Sequence, residues 1–166
     1  MYGIRPQIHY NISIDNKQRI FFNMVATKST QADVYNFTLE LCDKLAEQYK
    51  EYHIRSLTRN TTLERPDLSD YAKQQLAEIE DGTANLMKFR VEVGRKYLKV
   101  IQRDERNGEY RDGSVHAFVE RSSGNVYKAA SWKAPAKHVR YNLLDDKSRN
   151  VMFVNLDWAG GYLYMR

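Results

Sequence analysis

The stretch SVHAFVERSSGNVYKAAS, residues 114–131, predicts two paired strands joined by a tight turn. Residues 114–121 and 126–131 are rich in β-prone side chains, as is typical of strands. Between them, Ser122-Ser123-Gly124-Asn125 supplies turn formers, with a glycine that accepts the backbone conformation a short hairpin needs. The stretch therefore predicts a β-hairpin and with it an antiparallel sheet.

Further strands are expected on both sides of this hairpin. Residues 83–93 bring β-prone side chains, Gly94-Arg95 makes a turn, residues 96–104 form a strand, and residues 105–113 form a polar loop. Pro135 is expected to end the sheet because it lacks a backbone N–H. After it, residues 137–146 are predicted to be a short helical turn, residues 151–158 a last strand, and Gly160-Gly161 a turn.

The N-terminal half predicts a hairpin and two helices. Residues 7–14 and 19–26 read as strands, joined by turn residues at 15–17. Val34, Phe37, Leu41, Leu45 and Tyr49 recur at helical spacing and predict a helix over 31–52. A polar loop over 53–66 precedes a second helix, capped at Asp67 or Ser69 and ended by Gly82.

The predicted fold class is therefore α+β. A mostly antiparallel sheet, made of the C-terminal meander and the N-terminal hairpin, packs with two α-helices in a single domain over 1–166.

Composition narrows the class of protein. The chain has 166 residues, enough for a real core, and its single cysteine excludes an intrachain disulfide. Cys42 falls on the apolar side of the first predicted helix, where a buried structural thiol is expected. The chain shows neither an apolar signal core nor a long apolar run, which predicts a soluble, cytoplasmic protein without a membrane partner.

Charge is uneven along the chain. Residues 1–86 hold 10 Lys/Arg and 12 Asp/Glu, whereas residues 87–166 hold 16 Lys/Arg and 9 Asp/Glu. Residues 121–144 contain five Lys/Arg and no acid. A basic half beside an acidic half indicates a polyanion partner, although solvated surface charge is the simpler alternative.

Lysine and arginine neutralise phosphates, and aromatic rings stack on bases, so their mixture is typical of single-strand binders. The predicted nucleic-acid-binding residues are Arg121, Tyr127, Lys128, Trp132, Lys133, Lys137, His138 and Arg140. The patch is extended by Arg95, Lys96, Lys99 and Arg103 if the outer face of strand 96–104 lies alongside. The alternative for Trp132 is a core anchor folded back over the sheet.

An enzymatic site is a third candidate. Alternation along 115–120 places His116, Phe118 and Glu120 on one strand face, and Lys128 from the next strand would complete a nuclease-like acid–base group. Cross-strand Glu–Lys pairs are also common on exposed sheet faces. The four histidines show no metal-ligand spacing and no phosphate-binding glycine loop is present, so no cofactor and no metal are predicted.

The run SVHAFVERSSGNVYKAASWKAPAKHVRYNLL, with its Trp132–Lys137 loop, resembles a segment of small uncharacterised proteins of tailed bacteriophages. The resemblance covers about residues 88–144 and loosely the later LDWAGGYLY. It implies a phage source and a cytoplasmic role during infection, and no established activity. The alternative to nucleic-acid binding is a non-enzymatic module that binds a host or phage protein, as a host-factor inhibitor or a virion component.

Overall fold

A computed structural model describes residues 16–59 and 67–165. Within them lie three α-helices and five strands: α1 (Asn16–Thr58), α2 (Asp70–Asp81), β1 (Lys88–Val93), β2 (Tyr97–Arg106), β3 (Glu109–Glu120), β4 (Asn125–Ala129), β5 (Pro135–Asn142) and α3 (Asp146–Val154). The strands form one antiparallel sheet in the order β1-β2-β3-β4-β5. The predicted α+β class is confirmed.

The hairpins of the sheet follow from short turns. Gly124 has φ 73° between β3 and β4, as the predicted turn requires. Asn107 and Gly108 have φ 57° and 82°, the pair of positive values that a tight two-residue hairpin turn needs. The predicted polar loop over 105–113 is wrong, because only these two residues separate β2 from β3.

Helix α1 contains the predicted helix 31–52 and extends beyond it at both ends. The predicted strand 19–26 is wrong, and its partner 7–14 lies outside the described residues. The predicted loop over 53–66 is also wrong at its start, since α1 continues to Thr58. Once the buried stripe of α1 nucleates a helix, each further residue adds a hydrogen bond, and this outweighs weak local β-propensity. Residues 23–29 of α1 are all exposed, and burial along the helix begins at Val34.

Helix α2 begins and ends as predicted. The Ser69 hydroxyl accepts a hydrogen bond from the Ala72 amide at 3.2 Å, and Gly82 ends the helix with φ 81°. Helix α2 contacts α1, and its buried side chains are Ala72 and Ile79.

The chain after β4 differs from the prediction. Pro135 opens β5 at the edge of the sheet, where a missing N–H is tolerated, so residues 137–142 continue the sheet and the predicted helical turn there is wrong. Residues 146–154 are helical because the Asp145 carboxylate caps them, accepting a hydrogen bond from the Ser148 amide at 2.8 Å. The predicted strand over 151–158 is therefore wrong.

One face of the sheet carries the core. Helix α1, helix α3 and residues 155–165, which we call the C-terminal segment, pack there. The segment contains a short 3₁₀ turn, Gly161–Leu163. The fully buried side chains of this cluster come from α1, from the central strands and from the chain after β5, and include Val34, Leu41, Leu45, Leu98, Val100, Val119, Val126, Leu143, Met152 and Leu163. The acidic and the basic halves thus share one core. In the described ranges, no helix combines the length and the apolarity needed to cross a bilayer.

Candidate nucleic-acid interface

The sheet face turned away from α1, which we call the outer face, carries a row of aromatic side chains. Phe118 pairs across the strands with Lys99 on one side and with Tyr127 on the other. Tyr97 pairs with Glu120 one step further along. Because directly paired residues of antiparallel strands point to the same side, these side chains share the outer face.

Two large side chains on this face are buried although the helices pack on the other side. Ile101 is 0% and Phe118 1% exposed, and neither belongs to the main core cluster. The Tyr97 ring meets the Phe118 and Tyr127 rings edge-on, with centroids 5.9 and 6.1 Å apart. Around Phe118 the outer face is thus covered by aromatic rings that pack against one another.

Trp132 extends this aromatic surface from the loop between β4 and β5. The loop is closed by hydrogen bonds from the Ala130 and Ser131 amides to the Ala134 carbonyl, at 3.0 and 3.1 Å. The Trp132 side chain is 42% exposed, and the Lys99 ammonium lies 5.8 Å from its ring centroid. Trp132 is therefore no core anchor. It lies at the surface, beside a cation of the outer face.

Three carboxylates of the outer face are each held by cations. Asp112 accepts a hydrogen bond from Arg90 Nε at 2.9 Å and lies 3.1 Å from Arg103 Nε. Glu92 accepts a hydrogen bond from Lys99 at 3.0 Å. These bonds lower the pKa of both carboxyl groups, Arg90 being the main cause for Asp112 and Lys99 for Glu92.

Glu120 is held in the same way. Its carboxylate accepts a 2.6 Å hydrogen bond from Ser123 and lies 3.4 Å from the Lys96 ammonium. The Ser123 hydrogen bond is the main cause of its lowered pKa. The charges of these three carboxylates are therefore shared by four cations, which are Arg90, Arg103, Lys99 and Lys96. Lys133 and Lys137 beside it are exposed, and within the described chain neither has a carboxylate partner.

The structure brings only part of the predicted site together. Tyr127 and Trp132 belong to the outer face, and Lys133 follows in the same loop. Lys137 and His138 are exposed on the edge strand β5.

Lys128 and Arg140 lie on the opposite side of the sheet, against the C-terminal segment. Lys128 pairs with the core residue Ala117, and its ammonium lies 4.7 Å from the Tyr164 ring centroid. Arg140 Nε donates a 2.6 Å hydrogen bond to the Leu163 carbonyl. Strand alternation explains the separation, since Tyr127 and Lys128 are neighbours in sequence and point to opposite faces.

Arg121 lies at the other end of the sheet and ties three elements together. Its guanidinium donates to the Gly94 carbonyl at 3.0 Å and to the Gln31 side chain of α1 at 3.2 Å. These hydrogen bonds give Arg121 a structural role, as a clamp that links the β1–β2 turn to α1.

The acid–base group predicted from His116, Glu120 and Lys128 is not assembled. Val100 pairs with Ala117 and Ile101 with Val115, so His116 is the extra residue of a β-bulge. The bulge turns its ring to the core side, where His116 Nε2 lies 3.0 Å from the Tyr162 hydroxyl and the ring packs edge-on against Phe89. The expected shared face with Phe118 and Glu120 is therefore wrong.

The buried surroundings of His116 change its acidity. Burial lowers the pKa of the imidazole from 6.5 to about 4, against a weaker opposing effect of the Asp157 carboxylate. Burial likewise raises the pKa of the Tyr162 hydroxyl far above its usual range. Both groups are therefore neutral at pH 7.

Tyr97 was not among the predicted site residues, although it is part of the aromatic surface. Its position two residues before Lys99 is a usable signal, because a period of two puts both on one strand face. In the part of the chain that the structure describes, no three His, Cys, Asp or Glu side chains are grouped so that they could hold a metal ion.

Among the comparisons with other proteins, only the one with family models gives a match. No curated protein and no solved structure matches the chain. A family model matches residues 18–165, which is nearly the whole chain. The protein therefore belongs to a family of unknown function, DUF7717.

Proposed function

We propose that this protein binds single-stranded DNA or RNA, with little sequence preference, on the outer face and the adjoining β4–β5 loop. The observation that carries the proposal is a row of aromatic rings, Tyr97, Tyr127 and Trp132, on a sheet face opposite the helices. The cations Lys133 and Lys137 beside it lack carboxylate partners in the described chain.

Base stacking is the role we assign to Trp132 and Tyr127. The Tyr127 ring is held edge-on by Tyr97, which limits the side-chain entropy lost on binding, and the Trp132 side chain is 42% exposed and accessible to a base. Stacking of a base on such a ring contributes about 1–3 kcal/mol and tolerates any base. This favours binding with low sequence specificity.

Phosphate contact is the role of Lys133 and Lys137. Both are free to neutralise phosphates, whereas the charges of Lys96 and Lys99 are already partly neutralised by Glu120 and Glu92. Two phosphate contacts predict a modest salt dependence, with a slope of log K against log salt of about −1.4 for a single strand.

The test is a titration of a labelled oligomer of about 12 nucleotides, a length within the range of known single-strand sites. We expect binding that weakens between about 50 and about 200 mM salt. Trp132→Ala should weaken it by about 5- to 150-fold, the loss of one stacked base. Tyr71→Ala, which removes an exposed aromatic ring from α2, is the matched control.

Charge reversal tests the second half of the proposal. The double variant Lys133→Glu/Lys137→Glu should abolish the interaction, whereas Lys28→Glu/Lys147→Glu, with two exposed lysines on α1 and α3, should leave it in place. Absence of binding at low salt, or equal losses in test and control variants, would refute the proposal.

A host or phage protein is the second candidate partner, favoured by a different observation. Ile20, Met24 and Val25 of α1 are 60%, 56% and 49% exposed, and exposed apolar side chains grouped in this way are typical of protein-binding surfaces. A refuted nucleic-acid titration would promote this candidate. As part of the same proposal, the resemblance of residues 88–144 favours a phage accessory protein that acts in the cytoplasm of the infected cell.

A further inference from the structure

A small polar cavity lies on the core side of the sheet, between β2, β3, β4 and the C-terminal segment. It has a volume of about 150 Å³ and is lined in part by Gln102, Ser114, His116, Lys128 and Tyr164. This is room for a few water molecules or one small ion. It is separate from the outer face, because Lys128 and Tyr127 point to opposite sides of β4.

Hydrogen-bond donors dominate this cavity. The Lys128 ammonium lies beside it, 3.3 Å from the Ala129 carbonyl, which leaves two of its three N–H groups for a ligand. The Ser114 and Gln102 side chains line the cavity without a hydrogen bond to the described chain. The Tyr164 ring, 4.7 Å from the Lys128 ammonium, holds the stem of that lysine in place.

His116 adds a donor from the cavity floor. Its Nε2 lies 3.0 Å from the Tyr162 hydroxyl, which can donate to it. In that arrangement Nδ1 carries the proton of the neutral ring, on the side of Gly160. A side chain in place of Gly160 would approach the His116 ring to 3.6 Å and narrow the cavity there.

Carboxylates are absent from the residues that line this cavity in the described chain. The nearby Asp157 is already engaged, since it accepts hydrogen bonds from the Ala159 and Gly161 amides at 3.0 and 2.9 Å. A cation, several neutral donors and no acid form the chemistry that binds a tetrahedral oxyanion.

We propose that this cavity binds a single phosphate group, held by Lys128 with Ser114, Gln102 and His116 as hydrogen-bond donors. The phosphate group is either free inorganic phosphate or the terminal group of a small phosphate monoester. The proposal is independent of strand binding on the outer face.

The experiment is a titration followed by the amide NMR signals of Ser114, Ala129 and Gly160. Inorganic phosphate is raised to about 10 mM, well above a millimolar dissociation constant, against chloride at equal ionic strength. We expect saturable shifts with phosphate, and a dissociation constant at least tenfold higher in Lys128→Met. Lys147→Met, which removes an exposed lysine of α3 outside the cavity, should bind phosphate as the wild type does.

Lys128→Arg keeps the charge and should keep binding, which separates loss of the site from loss of the fold. Methyl phosphate distinguishes the two sources: equal binding supports a monoester site, and binding of inorganic phosphate alone supports a site for the free ion. Non-saturable shifts, equal shifts with chloride, or unchanged affinity in Lys128→Met would overturn the proposal. Lys128→Met should also leave oligonucleotide binding unchanged, so the two proposals fail separately.

Discussion

Acidification should destabilise this protein through His116. The imidazole is neutral and buried in the folded chain, with a pKa lowered from 6.5 to about 4. In the unfolded chain it takes up a proton as the pH falls through 6.5, and the folded chain does not follow until about pH 4. The unfolded state therefore binds more protons in this window, and the free energy of unfolding falls as the pH falls.

The size of the effect follows from the same two values. The difference between 6.5 and about 4 corresponds to about 3 kcal/mol, because each pH unit is worth about 1.4 kcal/mol. This is an upper value, because His116 as a whole residue is half-buried and solvent weakens the effect of burial. The stabilisation is complete above pH 6.5, declines below it and is lost near pH 4.

Urea unfolding at several pH values between 7.5 and 4.5 measures this loss. Protonation of carboxylates with a lowered pKa, such as Asp112, also destabilises the folded protein in acid. The pH profile of the wild type alone therefore does not isolate the contribution of His116. His116→Gln retains an amide for the Tyr162 hydroxyl and cannot titrate. Its free energy of unfolding should depend less steeply on pH than that of the wild type. His138→Gln, which changes an exposed histidine, should follow the wild type. Parallel pH profiles of wild type and His116→Gln would refute the reasoning.

Two further outcomes are expected. Gly124→Ala should destabilise the protein by about 1 kcal/mol more than Gly82→Ala in urea unfolding, because both positions have positive φ but only at Gly124 would the new Cβ lie 2.9 Å from Leu144 Cγ. Equal losses would show that Leu144 gives way. The buried Cys42 thiol, whose pKa burial raises to about 12, should react with a disulfide reagent at least about 1000-fold more slowly than in denaturant, and rapid stoichiometric labelling would contradict this.

Much of the fold could be predicted where local signals agree. Helix α2 has a serine cap, an apolar stripe and a terminal glycine, and the β3–β4 hairpin has Gly124 at its turn. The first helix was predicted from its buried stripe beginning at Val34. The extension of this helix to Asn16 could not be predicted, because residues 19–26 have a strand-like composition and are helical only through continuity with the rest of α1.

The site was harder to predict because it depends on which face each side chain takes. Strand alternation correctly predicts that Tyr127 and Lys128 point to opposite faces. The five cations of residues 121–144, however, suggest one patch from the sequence, whereas in the structure they are divided between the two sides of the sheet and the Arg121 clamp. His116 shows the limit most clearly. One extra residue in β3 moves its ring to the core side, and nothing in the sequence around it marks a bulge.

The C-terminal segment shows how the order of the strands stabilises distant contacts. The Trp158 amide donates a 2.9 Å hydrogen bond to the Gln48 side chain, 110 residues earlier, and its ring meets Tyr49 at 5.1 Å. In an open chain, closing a loop of this length costs roughly 4 kcal/mol in entropy. The meander divides that closure into a series of short hairpin turns, each of which closes a short loop at low entropic cost. The paired strands place the segment beside α1, so a few contacts such as those of Trp158 suffice to keep it there.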